Sequence, residues 1–380
     1  MENTIYLDNA ATTPLDTRVL QKMTPFLTDC FGNADSPHAV GRKAMGAVDL
    51  ARDKVAQLLG ANPAEVYFTS GGTEADNWAI IGSALANATE QRRKIVCSPI
   101  EHHAVLSAVE RLQKYGFEIE WLPVNDGGRV EISALERAID TRTVLVCLMF
   151  ANNETGVLQP VVEGVKIAHE KGALFFTDAV QYAPYMPIEV KELGVDLLSF
   201  SAHKFNGPKG VGALYIKNGV KMEKLVGGGE QERGLRGGTL NVASIVGFAE
   251  AYALARAEMQ QTNERLEKLS KLFMQRIAEV DEVMQNGDGE KLPSVLNLRV
   301  KGVENTALLY KMDLQGVCFA AGSACASASV KPSHVLTAMG LDEKAAKESV
   351  RISFGKRNTE EEVLRAAELF AETVEKLRNF

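Results

Sequence analysis

The stretch ALFFTDAVQYAPYMPIEVKELGVDLLSFSAHK, residues 173–204, holds two apolar runs, ALFFTD (173–178) and DLLSFS (196–201), and each gives way to polar residues. Both runs are apolar at neighbouring positions rather than alternate ones, the pattern of strands covered on both faces. The same kind of run recurs as EVYFTS (65–70), KIVCS (94–98), EIEWLP (118–123), VLVCLMF (144–150) and VGALYI (211–216), with helical patterns between most of them from about residue 40 onward. Such alternation predicts an α/β fold, a large and mostly parallel sheet sandwiched by helices.

Beyond GGTLNVAS (237–244) the strand signal stops, and residues 245–280, rich in Glu, Leu, Ala and Lys, read as helix. That segment leads toward a second set of elements: SVLNLRV (294–300), a helix near 305–312, a Gly/Ala/Ser-rich cysteine loop, SVRISF (349–354) and a closing amphipathic helix over 359–378. A chain of 380 residues exceeds the size at which one core usually stops growing. The expected division is a large domain over 16–260 and a smaller α+β domain from 1–15 and 261–380, the latter carrying a loop at about 320–332. Neither an internal repeat nor a low-complexity linker interrupts it.

With 46% hydrophobic and 24% charged residues the composition is globular. The 42 Lys and Arg against 49 Asp and Glu give a net charge of −7 without a basic block, which argues against nucleic acid or an acidic membrane as partner. No apolar run approaches the roughly 20 residues that span a bilayer, and MENTIYLDNAATTP lacks the basic and apolar regions of a secretory signal. The expected location is the cytoplasm. Five cysteines without a C-x-x-C pair suit neither a disulfide framework nor a zinc cage, so no metal site is expected. Cys97 and Cys147 lie in strand-like runs and read as buried small hydrophobes, while Cys30 and Cys318 carry little signal.

Ligands of open α/β sheets bind beyond the carboxyl ends of the strands, and four such ends are chemically loaded. FTSGGTEADN (68–77) opens a helix with Gly71, Gly72 and Thr73, whose free N–H groups suit a phosphate, although a plain cap reads the same way. SPIEHHAV (98–105) sets His102 and His103 at a helix start, where a histidine is commonly a surface residue. Asp178 ends an apolar strand and needs a partner there, with Gln181 three residues on. Ser201, His203 and Lys204 close another strand, and desolvation at such a place favours the neutral, nucleophilic amine, against the alternative of a solvated loop lysine. A lysine, a carboxylate and an anion site together are the requirements of pyridoxal phosphate: Schiff base, protonated ring nitrogen, phosphate. No G-x-G-x-x-G follows a strand, and no P-loop is present.

In order along the chain, YLDNAATTP, FTSGGTEADN, EHHAV, NNETG, TDAVQ, SAHKFNGPKG, RGGT, GSACASAS and VRISFG resemble the cysteine desulfurases of the NifS/IscS type, in the class V aminotransferase family of fold-type I pyridoxal-phosphate enzymes. The resemblance covers nearly the whole chain. It implies Lys204 as the Schiff-base lysine and mover of the α-proton, Asp178 on the pyridine nitrogen, and Gln181 with Asn153 near the ring oxygen and the substrate. His102 is implied to stack on the ring and serve as acid/base. Gly72, Thr73, Ser201 and His203 are implied to bind the phosphate, helped by Thr239 from the second subunit of a homodimer, and Arg351 to clamp the carboxylate of L-cysteine. Cys325, in GSAC, is implied to take the sulfur as a persulfide and leave alanine. An iron–sulfur scaffold protein is the implied acceptor, with which Cys325 could transiently ligate a cluster. The small residues around Cys325 suit a mobile, exposed loop. Lys209 is the rival lysine. A selenocysteine lyase, a related class V aminotransferase and a non-catalytic binding platform are the other readings, the last disfavoured by intact Lys204, Asp178, His102 and Cys325. Two departures from the family's pattern, Ala34 for a frequent Pro and Lys356 for a frequent Arg, lie outside this chemistry.

Overall fold

The computed structural model describes residues 4–322 and 332–379. Its principal sheet has seven strands: β2 (Val66–Thr69), β3 (Lys94–Cys97), β4 (Glu118–Trp121), β5 (Thr143–Cys147), β6 (Leu174–Asp178), β7 (Leu197–Ser201) and β8 (Gly212–Ile216). Their order across the sheet is β2-β8-β7-β6-β5-β3-β4. Parallel pairing joins β7 to β6, β6 to β5, β5 to β3 and β3 to β4, and β8 alone runs against the rest, antiparallel to both β7 and β2. The carboxyl ends of β2, β3, β5, β6 and β7 therefore share one edge of the sheet.

Why the strands read as apolar runs is visible in β6. Phe175 and Phe176 are both fully buried, yet they belong to different cores, because successive side chains of a strand point to opposite faces. Phe175 belongs to the core that also holds Val48, Phe200 and Phe248, and Phe176 to the one that holds Trp78, Ile95, Leu145 and Leu214. Cys97 and Cys147 sit fully buried in the second core, as expected for small hydrophobes. The edge strand β4 is only partly covered, which matches its mixed composition.

VLVCLMF departs from a simple strand after Cys147. Leu148 and Phe150 still donate to the carbonyls of Phe176 and Asp178, whereas the N–H of Met149 points the other way, to the carboxylate of Glu101. The helix expected over 245–280 is two helices, Val242–Ala257 and Met259–Arg276, and the chain leaves helical geometry at Glu258 (ψ 4°). The Glu258 carboxylate is taken by Arg18 and Lys356. This break lets the second helix turn onto the closing helix Glu360–Arg378, while the first packs on Thr17–Leu27 and Ala39–Leu59.

Two small sheets complete the strands. In the first, β9 (Val283–Gln285), β10 (Val295–Val300) and β12 (Ser349–Ser353) are antiparallel in the order β12-β10-β9. In the second, β1 (Ile5–Tyr6) pairs in parallel with β11 (Val317–Cys318). Single bridges tie Asp8 to Ser353 and Ala320 to Arg351, which brings the N-terminal motif beside β12.

Candidate active site

A cavity of about 180 Å³ opens at the shared edge of the large sheet. Of the residues expected to bind cofactor or substrate, Gly72, Thr73, His102, Asn153, Asp178, Gln181, Ser201, His203, Lys204 and Arg351 all line it. They come from the ends of β2, β3, β5, β6 and β7 and from β12, so the fold brings together positions up to 279 residues apart, Gly72 to Arg351.

Lys204 follows β7 in a short 3-10 turn, and its Nζ donates to the carbonyls of Ala10 (2.6 Å) and Ala11 (2.9 Å). The N-terminal segment lies across it: Thr13 donates through both N–H and hydroxyl to the His203 carbonyl, and Thr12 Oγ1 meets His203 Nδ1 at 3.1 Å. Gln181 Nε2 shares the Ala10 carbonyl at 2.9 Å. The rival Lys209 is exposed and not part of the cavity wall.

Asp178 is buried at the tip of β6, where Oδ1 accepts the Val180 N–H at 2.8 Å. Burial pushes its carboxyl up to about 6, against the pull of that N–H and of the Lys204 charge. A cation opposite this group is what would keep it ionised. His102 caps the helix His103–Gln113, its Nδ1 accepting the Ala104 N–H at 3.2 Å. That contact assigns Nδ1 as acceptor and leaves the proton of the neutral ring on Nε2. Burial first, then the neighbouring Lys204 charge, lowers both His102 and His203 to about 4, so both rings are neutral at pH 7.

Arg351, which also lines the cavity, has a side chain only 1% exposed. Nη1 donates to the Asn153 carbonyl at 3.0 Å and Nη2 to Asp8 Oδ1 at 2.7 Å. The phosphate-suited turn is built by close backbone approach. Gly71 takes φ 155°, and Gly212 of β8 faces it so closely that a Cβ on Gly212 would fall 2.6 Å from the Gly71 carbonyl carbon.

One expected residue that the structure describes is not at the cavity. Thr239 is exposed and outside the wall of its own chain, next to an arginine, Arg236, held bidentately by Glu74. Cys325 lies outside the described residues. Three groups were missed by sequence reasoning. Asp76 lines the cavity, fully buried and bonded to the Ser199 hydroxyl, and its carboxyl is pushed well up by burial and then by the Asp178 charge. Glu101 is pushed up by burial, one oxygen taking the Met149 N–H at 2.7 Å and Oε2 having no partner among the described residues. Asp8 holds Arg351. All three stand inside the quoted motifs, but nothing local in those motifs says what faces them.

Residues 5–365 match the Aminotransferase class-V family. The chain belongs to that family. A cysteine desulfurase IscS of Methanosarcina thermophila is 45% identical over 376 residues, spanning 99% of this chain and 93% of the relative. One of Clostridium botulinum (strain Hall) is 44% identical over 382 residues, spanning 100% and 96%. Among solved structures, a NifS-like protein superposes with a TM-score of 0.92 at 38% identity, covering 98% of this chain and 100% of its own. The structure titled SspA in complex with cysteine superposes at 0.83 with 34% identity, covering 94% and 100%. This class V enzyme is thus a pyridoxal-phosphate-dependent cysteine desulfurase, as the motifs imply. The cavity fits that cofactor on its own terms: a buried carboxylate that one more cation would keep ionised, an amine on the adjacent strand end, and a turn at whose Gly71 an added Cβ would meet open space.

Proposed function

We propose that this cysteine desulfurase converts L-cysteine to L-alanine and moves the sulfur onto Cys325 as a persulfide. The balance is simple: the Cys325 thiol gains one sulfur atom, and the substrate's Cβ exchanges its sulfur for hydrogen. The observation that carries the reading is the gathering of Lys204, Asp178, His102, Asn153 and Arg351 around one cavity at the strand ends. Bound pyridoxal phosphate supplies an electron sink for the α-carbon.

In this reading Lys204 Nζ would hold the cofactor and serve as the base that carries the substrate's α-proton. Asp178 keeps a proton on the pyridine nitrogen, the cation its buried carboxylate needs. Gln181 and Asn153 would hold the ring oxygen, and His102 would hold the ring itself. His102 serves as acid/base near the substrate's thiol through Nε2, since Nδ1 is engaged by the Ala104 N–H. Gly72, Thr73, Ser201 and His203 hold the phosphate, helped by Thr239 from a second copy of the chain in a homodimer. Arg351 holds the substrate carboxylate through its remaining N–H groups.

The acceptor proposed for the persulfide sulfur is an iron–sulfur scaffold protein, in the cytoplasm. Among the described residues no helix is long and apolar enough to cross a membrane. We further assign the large domain to 16–260 and the small one to 1–15 and 261–380. The deciding experiment is mass spectrometry of the protein after brief treatment with L-cysteine. One added sulfur atom on Cys325 is expected. Alanine release with sulfur on another cysteine, or undiminished sulfur delivery by Cys325→Ser, overturns the role of Cys325.

A further inference from the structure

Arg351 presents its guanidinium to the cavity with an anion already attached. Asp8 Oδ1 accepts from Nη2 at 2.7 Å, while the arginine side chain is 1% and the aspartate side chain 19% exposed. The aspartate is held by its surroundings. Leu7, fully buried, donates to the Cys318 carbonyl, Asn9 donates to that of Ser353, and the Asn9 side chain bonds both Ser353 and Asn358. The Asp8 backbone is thereby fixed between β11 and β12, which sets its carboxylate within reach of Arg351. The other nearby groups are Tyr6, raised to about 12 chiefly by burial and next by Asp8, and Cys318, whose thiol burial also raises. Both are therefore neutral at pH 7 and add no charge to the pair, while the cavity's other cation, Lys204, is held at the Ala10 and Ala11 carbonyls.

We propose that Asp8 is a specificity-determining residue, a fixed counter-ion that cancels the charge of Arg351 toward incoming carboxylates. This rests on Arg351 being the carboxylate anchor. A guanidinium has five N–H donors, and the Asp8 and Asn153 bonds use two of them. Directional hydrogen bonding to a substrate carboxylate therefore survives. The long-range attraction that would draw in any anion does not, because a second carboxylate beside the first meets repulsion comparable to the attraction. A simple carboxylate then gains little at Arg351. An amino acid, held at a second point through its amine, is retained. The pair thus favours α-amino acids over the many carboxylates that lack an amine.

The test uses the holoenzyme and 3-mercaptopropionate, which is cysteine without its amine, with binding measured by titration calorimetry. Asp8→Asn keeps an acceptor for Nη2 and removes the charge, so it should bind 3-mercaptopropionate about tenfold more tightly than wild type. Asp8→Ala, losing charge and alignment together, should gain less. Unchanged or weaker binding by Asp8→Asn overturns the proposal. A second arm needs no variant: wild type should bind 3-mercaptopropionate and its uncharged amide within about threefold of each other, since the anchor is already neutralised. A preference for the acid of tenfold or more also overturns it. Arg351→Gln separates the two levels. If its KM for L-cysteine is unchanged, the anchor itself is wrong. If its KM rises while Asp8→Asn fails to tighten binding, only the role of Asp8 falls.

Discussion

His102 and Asp178 face the same cavity and are shifted by the same force, loss of water, with opposite consequences for stability. In the unfolded chain a histidine takes its proton below about 6.5, whereas folded His102 waits until about 4. Between those values the unfolded state binds more protons, so His102 contributes stability that is present above 6.5 and drains away as pH falls. Asp178 rises from 3.8 to about 6, so the folded state binds the extra proton and stability is lost as pH rises through that window. Removing each group should therefore tilt the curve in opposite directions. Urea midpoints of cofactor-free protein between pH 4 and 7 should show His102→Asn losing about 2 kcal/mol of the rise, with the helix cap kept because Asn caps well. Asp178→Asn should lose the opposing fall. An unaltered curve for His102→Asn would mean that this ring is hydrated. Lys204 gives a catalytic counterpart: Lys204→Ala should lower alanine release by about 10³-fold or more and abolish the visible absorption of the holoenzyme, while Lys209→Ala, out on the surface, should change neither.

At the scale of elements, what could be read in the sequence is what burial alone decides. β5, β6 and β7 announce themselves because both faces are covered, and the polar residues that end them are conspicuous against the apolar runs. The break at Glu258 was not legible, since the partners of its carboxylate, Arg18 and Lys356, are distant in sequence. Asp8, Asp76 and Glu101 escaped for the same reason: an acid inside a motif acquires meaning only from the Arg351, Ser199 or Met149 opposite it. Gly212 is another such case. In VGALYI it looks like a residue that weakens a strand, yet it is the only residue type that lets β8 pass the Gly71 backbone. A Cβ there would meet Gly71 C at 2.6 Å, Cα at 2.8 Å and O at 2.9 Å, all main-chain atoms that cannot rotate aside. Gly212→Ala should cost about 3 kcal/mol and loosen the cofactor by displacing the Gly71–Gly72 turn. Gly210→Ala nearby meets open space but sits at φ 77°, so it should show the smaller penalty of backbone strain alone. Equal midpoints for Gly212→Ala and wild type would show that the turn gives way freely.

Across the whole molecule, four charges gather where the proposed domains meet. Asp16 opens the larger one, Glu258 stands at its end, and Lys356 reaches over from the smaller, its Nζ 2.8 Å from Asp16 Oδ2 and 3.5 Å from Glu258 Oε2. Arg18 bonds both acids from the other side. Arg18 chiefly, helped by Lys356, holds the Asp16 carboxyl well below the usual carboxylate range, and Glu258 is lowered by the same pair. The side chains of Asp16 and Lys356 are 9% and 24% exposed, so the contact is screened less than a surface pair. A lysine here, where the family often has arginine, still spans both carboxylates. Lys356→Ala should therefore cost about 1 kcal/mol at pH 7, and Lys356→Arg close to nothing. The sign with pH follows from the depressed carboxyl: its stabilisation is complete above 3.8 and is lost only as pH falls through the much lower folded value, so the gap between Lys356→Ala and wild type should hold at pH 4 and narrow only in stronger acid. Urea is the denaturant of choice, since guanidinium would itself screen the cluster. A Lys356→Met variant as stable as wild type would mean that the lysine stabilises through its alkyl chain rather than through its charge.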